Sequence, residues 1–118
     1  MTVKMLKFGI LASHQWPREL PLRENIEGLV SLVQVARDLS FDSVFTINHF
    51  LGNLSSPQPV SMMATLIPHS GEMSLGTGIL LLPLFHPVHI AEEFASLDQL
   101  SGGRIVLGVG VGYREEEY

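Results

Sequence analysis

The sequence predicts an α/β protein built from parallel βα repeats. Three observations carry this: short apolar runs of strand length, amphipathic stretches of helix length between them, and a return of the runs roughly 30 to 36 residues apart. That interval is the size of a βα unit, and parallel strands need a crossover of about a dozen residues or more, usually a helix.

The first run, Phe8 to Ala12, is continuously apolar between Lys7 and Ser13, as expected of a strand covered on both faces. From about Arg23 to Leu39, Ile26, Leu29, Val30, Val33 and Ala36 recur at helical spacing while Glu24, Glu27, Gln34 and Arg37 face elsewhere. Ser43 to Ile47 reads as the second strand. Val60 to Ile67 reads as a short helix entered from Ser55-Ser56-Pro57 and stopped by Pro68. Ser74 to Leu82 is the expected third strand. Pro87 then opens a helix whose buried stripe is Ile90, Phe94 and Leu97 and which ends before Gly102-Gly103. Ile105 to Val109 is the fourth strand. No linker or low-complexity tract interrupts this rhythm, so residues 1–118 read as one domain.

Composition narrows the function. With 46% hydrophobic and 16% charged residues, the chain has the makeup of a globular domain and not of a disordered one. Its 7 Lys and Arg against 12 acids give a net charge of −5, with Glu115, Glu116 and Glu117 among the acids. Such a balance supplies no basic face for nucleic acid. The absence of cysteine excludes a disulfide framework, a thiolate metal site and a cysteine nucleophile, and says nothing about compartment. The richest apolar stretch, Leu75 to Phe85, is shorter than the ~18 residues a spanning helix needs. The segment after Lys4 and Lys7 is too short for a signal peptide. It reads as a core strand of a cytoplasmic protein without membrane contact.

Parallel βα repeats close into an eight-stranded barrel or open into a doubly wound sheet, and periodicity does not choose between them. A dinucleotide-binding sheet would show its glycine fingerprint in the first strand-to-helix turn, yet Ala12 to Pro17 contains no glycine. The later Gly108, Gly110 and Gly112 lack the required spacing. In both architectures ligands bind beyond the carboxyl ends of the strands, which here are Ser13 and His14, Asn48 and His49, Gly78 to Pro83, and Gly108 to Tyr113.

His49 emerges where the second strand leaves the core, so its imidazole is placed either to touch a cofactor or shuttle a proton, or to bond a neighbouring loop. His14, His69, His86 and His89 read as structural or exposed. His86 and His89 have the spacing of a helix-borne metal pair but no third ligand, so no metal is expected. Thr77-Gly78 interrupts the third strand, as a bend in the sheet or a flat surface for a ring would. Glu92 and Glu93 point about 100 degrees apart on a helix and read as a solvated face. Trp16, Phe50 and Phe85 either line an apolar pocket or simply pack.

Several ordered motifs, Phe41-Asp42-Ser43-Val44-Phe45, Asn48-His49-Phe50, Leu75 to Pro83, His86-Pro87-Val88, Leu97 to Arg104 and Leu107-Gly108-Val109-Gly110, resemble those of the bacterial luciferase-like monooxygenase family from Lys7 to Tyr118. The resemblance implies a (β/α)8 TIM barrel that binds a reduced flavin, FMN or coenzyme F420, at the C-terminal strand ends. The FMN branch activates oxygen and the F420 branch mostly transfers hydride. The resemblance also implies that His49 lies against the flavin and acts in catalysis. Asn48 stands where luciferases carry a catalytic histidine and F420-dependent members an acid, so the luminescent reaction is not implied. Gly78-Ile79 aligns with a non-prolyl cis peptide that backs the ring. Asn48, His49, Thr77, Gly78, Ile79, Gly110 and Gly112 form the expected cofactor-binding set. Val111 replaces a phosphate-contacting arginine, and Tyr113 replaces an acid proposed for proton transfer in one F420-dependent group.

A complete barrel takes at least about 200 residues. This chain supplies four strands and three helices and resembles the N-terminal half of one. The implied function is a flavin-dependent oxidoreductase acting on a small organic substrate, with self-association or a second half-barrel as partner. The alternative is a non-catalytic half-barrel fragment or assembly module.

Overall fold

The computed structural model describes residues 5–118; Lys4, one of the lysines weighed above, lies outside them. In chain order the elements are β1 (Gly9–Ala12), β2 (Trp16–Pro17), α1 (Leu22–Asp38), β3 (Ser43–Thr46), β4 (Leu54–Ser55) and α2 (Pro59–Leu66). After them come β5 (Ser74–Thr77), β6 (Leu80–Leu81), α3 (Pro87–Ser101), β7 (Ile105–Val106) and β8 (Val109–Gly110). Short 3-10 turns cover Ile67–His69, Leu82–Leu84 and Glu115–Glu117.

The main sheet runs β1-β3-β5-β7, parallel throughout, with Ala12 beside Thr46, Thr46 beside Thr77, and Leu75 beside Ile105. The helices pack on one face. Leu29, Val33 and Ala36 of α1, Met62, Met63 and Leu66 of α2, and Ile90, Phe94 and Leu97 of α3 close over Val44, Leu75 and Leu80. The helical stripes read from the sequence therefore form the core, with Ile26 and Val30 partly buried at its margin. Pro59 and Pro87 open α2 and α3, and Gly102 ends α3 in the left-handed region at φ 71°. Arg104 locks the opposite end of the sheet. Its Nε donates to the Ser101 carbonyl at 2.7 Å, and Nη1 donates to Ser70 Oγ at 3.0 Å and to the Met73 carbonyl.

Several strand expectations need correction. The first run is not covered on both faces: Phe8 and Leu11 are largely exposed, because β1 is an edge strand and the helices cover only one side. The third strand does not run from Ser74 to Leu82. It leaves the main sheet at Thr77 and resumes as β6, which pairs with β8. Gly78 N–H donates to the Thr46 carbonyl and Leu80 N–H to the Gly108 carbonyl, so the backbone changes partners across the Gly78–Ile79 bond, which is cis. The fourth strand is divided likewise at Leu107 and Gly108, where the Thr77 side chain replaces the ladder. Its hydroxyl donates to the Gly108 carbonyl at 2.8 Å and accepts from the Gly108 N–H at 3.1 Å. The small antiparallel pair β2/β4, Trp16 beside Ser55, has no strand-length pattern and was not expected. No helix among the described residues is long and apolar enough to cross a membrane.

Candidate active site

At the C-terminal end of the sheet, a pocket of about 120 Å³ is lined by the ends of β3 (Ile47, Asn48, His49), the crossing from β5 to β6 (Gly78, Ile79, Leu81) and the segment after β8 (Gly112, Tyr113, Glu117). Five of the expected site residues meet here: Asn48, His49, Gly78, Ile79 and Gly112. Thr77 and Gly110 stand behind this lining. Thr77 is buried and its hydroxyl is engaged by Gly108. Gly110 lies under Ile79, where an added Cβ would come within 2.1 Å of Ile79 Cδ1. Gly112 is held at φ 77°, which favours glycine, and turns the chain past Leu81.

Asn48 is buried and ties three elements together. Its Oδ1 accepts the Leu81 N–H at 2.9 Å, and its Nδ2 donates to Gln58 Oε1 at 3.0 Å. Gln58, which immediately precedes α2, donates in turn from Nε2 to the His49 carbonyl at 3.2 Å. The His49 ring is fixed from the other side. Its Nδ1 lies 2.7 Å from Oε1 of Glu117, and the Phe50 N–H donates to the same oxygen at 3.1 Å. Glu117 is buried whereas Glu115 and Glu116 are exposed.

Sequence reasoning missed Glu117 and Gln58. Glu117 was counted only as one acid of a terminal run, and Gln58 lies before a helix without any pattern that marks it. His14, at the end of β1, is fully buried and structural: its Nε2 accepts the Ile47 N–H at 3.1 Å. Burial, first of all, lowers its pKa below the usual 6.5, and the neighbouring His49 adds to that direction. Phe50 and Phe85 pack on each other with ring centres 5.7 Å apart, and Trp16 packs against the core. Tyr113 stands exposed at the pocket mouth beneath the Arg114 guanidinium. The His86 and His89 rings are 5.5 Å apart, and among the described residues no group of three His, Cys, Asp or Glu could hold a metal ion.

Parallel βα units with a pocket at the carboxyl ends of the strands define an α/β protein of the barrel or doubly wound class. A model of the luciferase-like monooxygenase family matches residues 5–118, and the chain belongs to that family. It is 30% identical over 116 residues to the alkanal monooxygenase alpha chain of the Kryptophanaron alfredi symbiont, covering 96% of this chain and 32% of that one. It is 31% identical over 91 residues to the oxygenase component of flavin-dependent trigonelline monooxygenase from Acinetobacter baylyi, covering 76% of this chain and 25% of that one.

Among solved structures, a monooxygenase from Streptomyces bottropensis superposes with a TM-score of 0.86 at 29% identity, over 95% of this chain and 35% of that one. An F420-dependent secondary alcohol dehydrogenase, in complex with an F420-acetone adduct, gives 0.74 at 26% identity, over 90% of this chain and 32% of that one. The chain thus spans about a third of the length of its relatives, and its sheet is that of a half-barrel.

Proposed function

We propose that this chain forms the ring-facing part of a flavin-dependent oxidoreductase site that takes reduced FMN or coenzyme F420 and acts on a small organic substrate. The observation that carries the reading is the meeting of His49, Gly78 and Ile79 in one pocket at the carboxyl end of a parallel sheet, the end at which barrel enzymes hold their ligands. The named activities of the flavin- and F420-dependent relatives support it. A cytoplasmic location goes with the same reading.

The lining suits a flat ring. Ile47, Ile79 and Leu81 offer apolar surface, Gly78 and Gly112 expose backbone, and His49 adds a polar contact. The pocket volume of about 120 Å³ is below the ~300 Å³ at the low end for a site that engulfs a small molecule, as suits one wall of a ring site. No Lys or Arg is among the described lining residues, so the pocket matches the ring and not a phosphate tail. Reduced flavin, when bound, supplies the electrons, passed to oxygen with FMN or as hydride with F420. The chain's own task is then to orient the ring on Gly78, Ile79 and Gly112, to keep water out with Ile47 and Leu81, and to hold or move a proton at His49 Nε2. Asn48 braces the lining through the Leu81 N–H, and Thr77 and Gly110 support it from behind.

Titration with reduced FMN and with reduced F420, each followed by fluorescence, tests the reading. Saturable binding of either one is expected, and His49→Ala should weaken binding or turnover by about tenfold to a thousandfold. Unchanged binding and turnover in that variant would remove His49 from the site, and no response to either flavin would overturn the function.

A second reading is favoured by the four-stranded sheet with open edges at β1 and β7. Here the chain is a non-catalytic half-barrel or assembly module, completing a site only with another chain or a further segment. A colourless preparation that binds flavin only when mixed with a partner would select it.

A further inference from the structure

We infer that Glu117 is a positioning residue that fixes the tautomer of His49, keeping a proton on Nδ1 and leaving Nε2 as the nitrogen available to a ligand. The inference deepens the preceding reading and rests on His49 being the group presented to the ligand, but its test reads the imidazole itself.

The geometry assigns the proton. His49 Nδ1 and Glu117 Oε1 are 2.7 Å apart, and the same oxygen accepts the Phe50 N–H at 3.1 Å. An ionised carboxylate only accepts hydrogen bonds. An oxygen already accepting from a backbone amide is poorly placed to be the hydroxyl of a protonated acid. Nδ1 is therefore the donor. A neutral imidazole has a single N–H, so Nε2 keeps its lone pair. Both residues line the pocket, but the carboxylate side chain is 2% exposed and the imidazole 18%, so the ring is the partner more open to a ligand. Buried carboxylates that accept from a histidine orient its ring in this way in metal sites and in catalytic triads.

The fold delivers this one acid and not its neighbours. In a 3-10 turn successive side chains are about 120 degrees apart, so of Glu115, Glu116 and Glu117 only the last faces inward. The turn is approached through Gly112 at φ 77° and tied back by the Tyr118 hydroxyl, which donates to the Val111 carbonyl. The segment after β8 therefore completes a site that begins at the end of β3.

The test is nitrogen-15 NMR of the His49 ring in the full chain without flavin, at a pH where the imidazole is neutral. The wild type should show a protonated Nδ1 and an unprotonated Nε2. Glu117→Ala should return the ring toward the Nε2–H form that free histidine prefers. Glu117→Gln, which keeps an acceptor oxygen but removes the charge, should preserve the wild-type tautomer. Glu115→Gln, which removes the same charge away from the ring, should change nothing.

A wild-type ring protonated on Nε2, or a folded Glu117→Ala variant that keeps Nδ1–H, would overturn the assignment. Should Glu117→Ala fail to fold, the wild-type and Glu117→Gln spectra still decide. If Glu117→Ala moves the proton while His49→Ala leaves flavin binding and turnover unchanged, the tautomer assignment stands and His49 is removed from the flavin site; if neither flavin binds the wild type, the assignment stands and the flavin reading falls.

Discussion

The Ile47 N–H donates to Nε2 of His14 at 3.1 Å inside the protein, so the imidazole that ends β1 holds the backbone just beyond β3. Because Nε2 accepts, the neutral ring carries its proton on Nδ1. Protonating Nε2 would cost the Ile47 bond and leave a buried cation.

A pH dependence follows. Burial holds the His14 pKa below 6.5 in the folded chain, while the unfolded chain keeps the ordinary value. Between the two, the unfolded state binds more protons, so stability rises with pH. It should therefore be fully present above about pH 6.5 and be lost as pH falls from there through the folded pKa. Urea midpoints measured across this window should decline on acidification. His14→Gln should flatten that decline, and identical slopes in the two proteins would contradict the assignment.

Asn48 offers a test of the polar clamp. Asn48→Leu removes the acceptor for the Leu81 N–H and the donor to Gln58. Leaving a buried amide unpaired costs about 1–3 kcal/mol, so the melting temperature should drop by several degrees. Asn48→Asp keeps an acceptor for Leu81 and should lose less. Equal melting temperatures for the wild type and the leucine variant would show that the clamp contributes nothing.

Two glycines should respond in opposite directions. A Cβ at Gly108 would lie 2.1 Å from the Thr77 carbonyl oxygen, a backbone atom that cannot turn aside. Gly108→Ala should cost at least about 1–3 kcal/mol, the range for overpacking. Gly28 sits on the exposed face of α1 with nothing within 4 Å of an added Cβ, so Gly28→Ala should stabilise by roughly 0.5–1 kcal/mol. Denaturant unfolding of the two variants reads both, and a Gly108→Ala protein as stable as the wild type would refute the close approach.

The polypeptide of residues 1–118 should self-associate when prepared alone. β1 and β7 are open edges, and Phe8, Leu11, Val106 and Val109 present apolar surface beside them. Light scattering should give a mass that grows with concentration. A monodisperse 13.0 kDa species with cooperative unfolding would contradict this.

The α/β repeat was legible because it is written in local periodicity. The stripe Leu29, Val33, Ala36 and the stripe Ile90, Phe94, Leu97 each bury one helical face, and Pro87 and Gly102 punctuate α3 where fixed φ or left-handed backbone is needed, whereas α2 is opened by Pro59 and not from Pro57 as its pattern suggested. The place of His49 was legible because Asn48 and His49 are the polar residues at which the apolar run through Ile47 gives way. What lay beyond the sequence was every relationship made across distance. The handover of the third strand from one sheet to another depends on Gly108 approaching Thr77. The burial of His14 depends on Ile47, and the inward turn of Glu117, 68 residues from its partner, depends on the path of the chain after β8. Periodicity reports which face of an element is apolar, since that follows from the element's own geometry. Which polar groups meet is decided only when packed elements must satisfy each other's buried donors and acceptors, a condition of the tertiary structure.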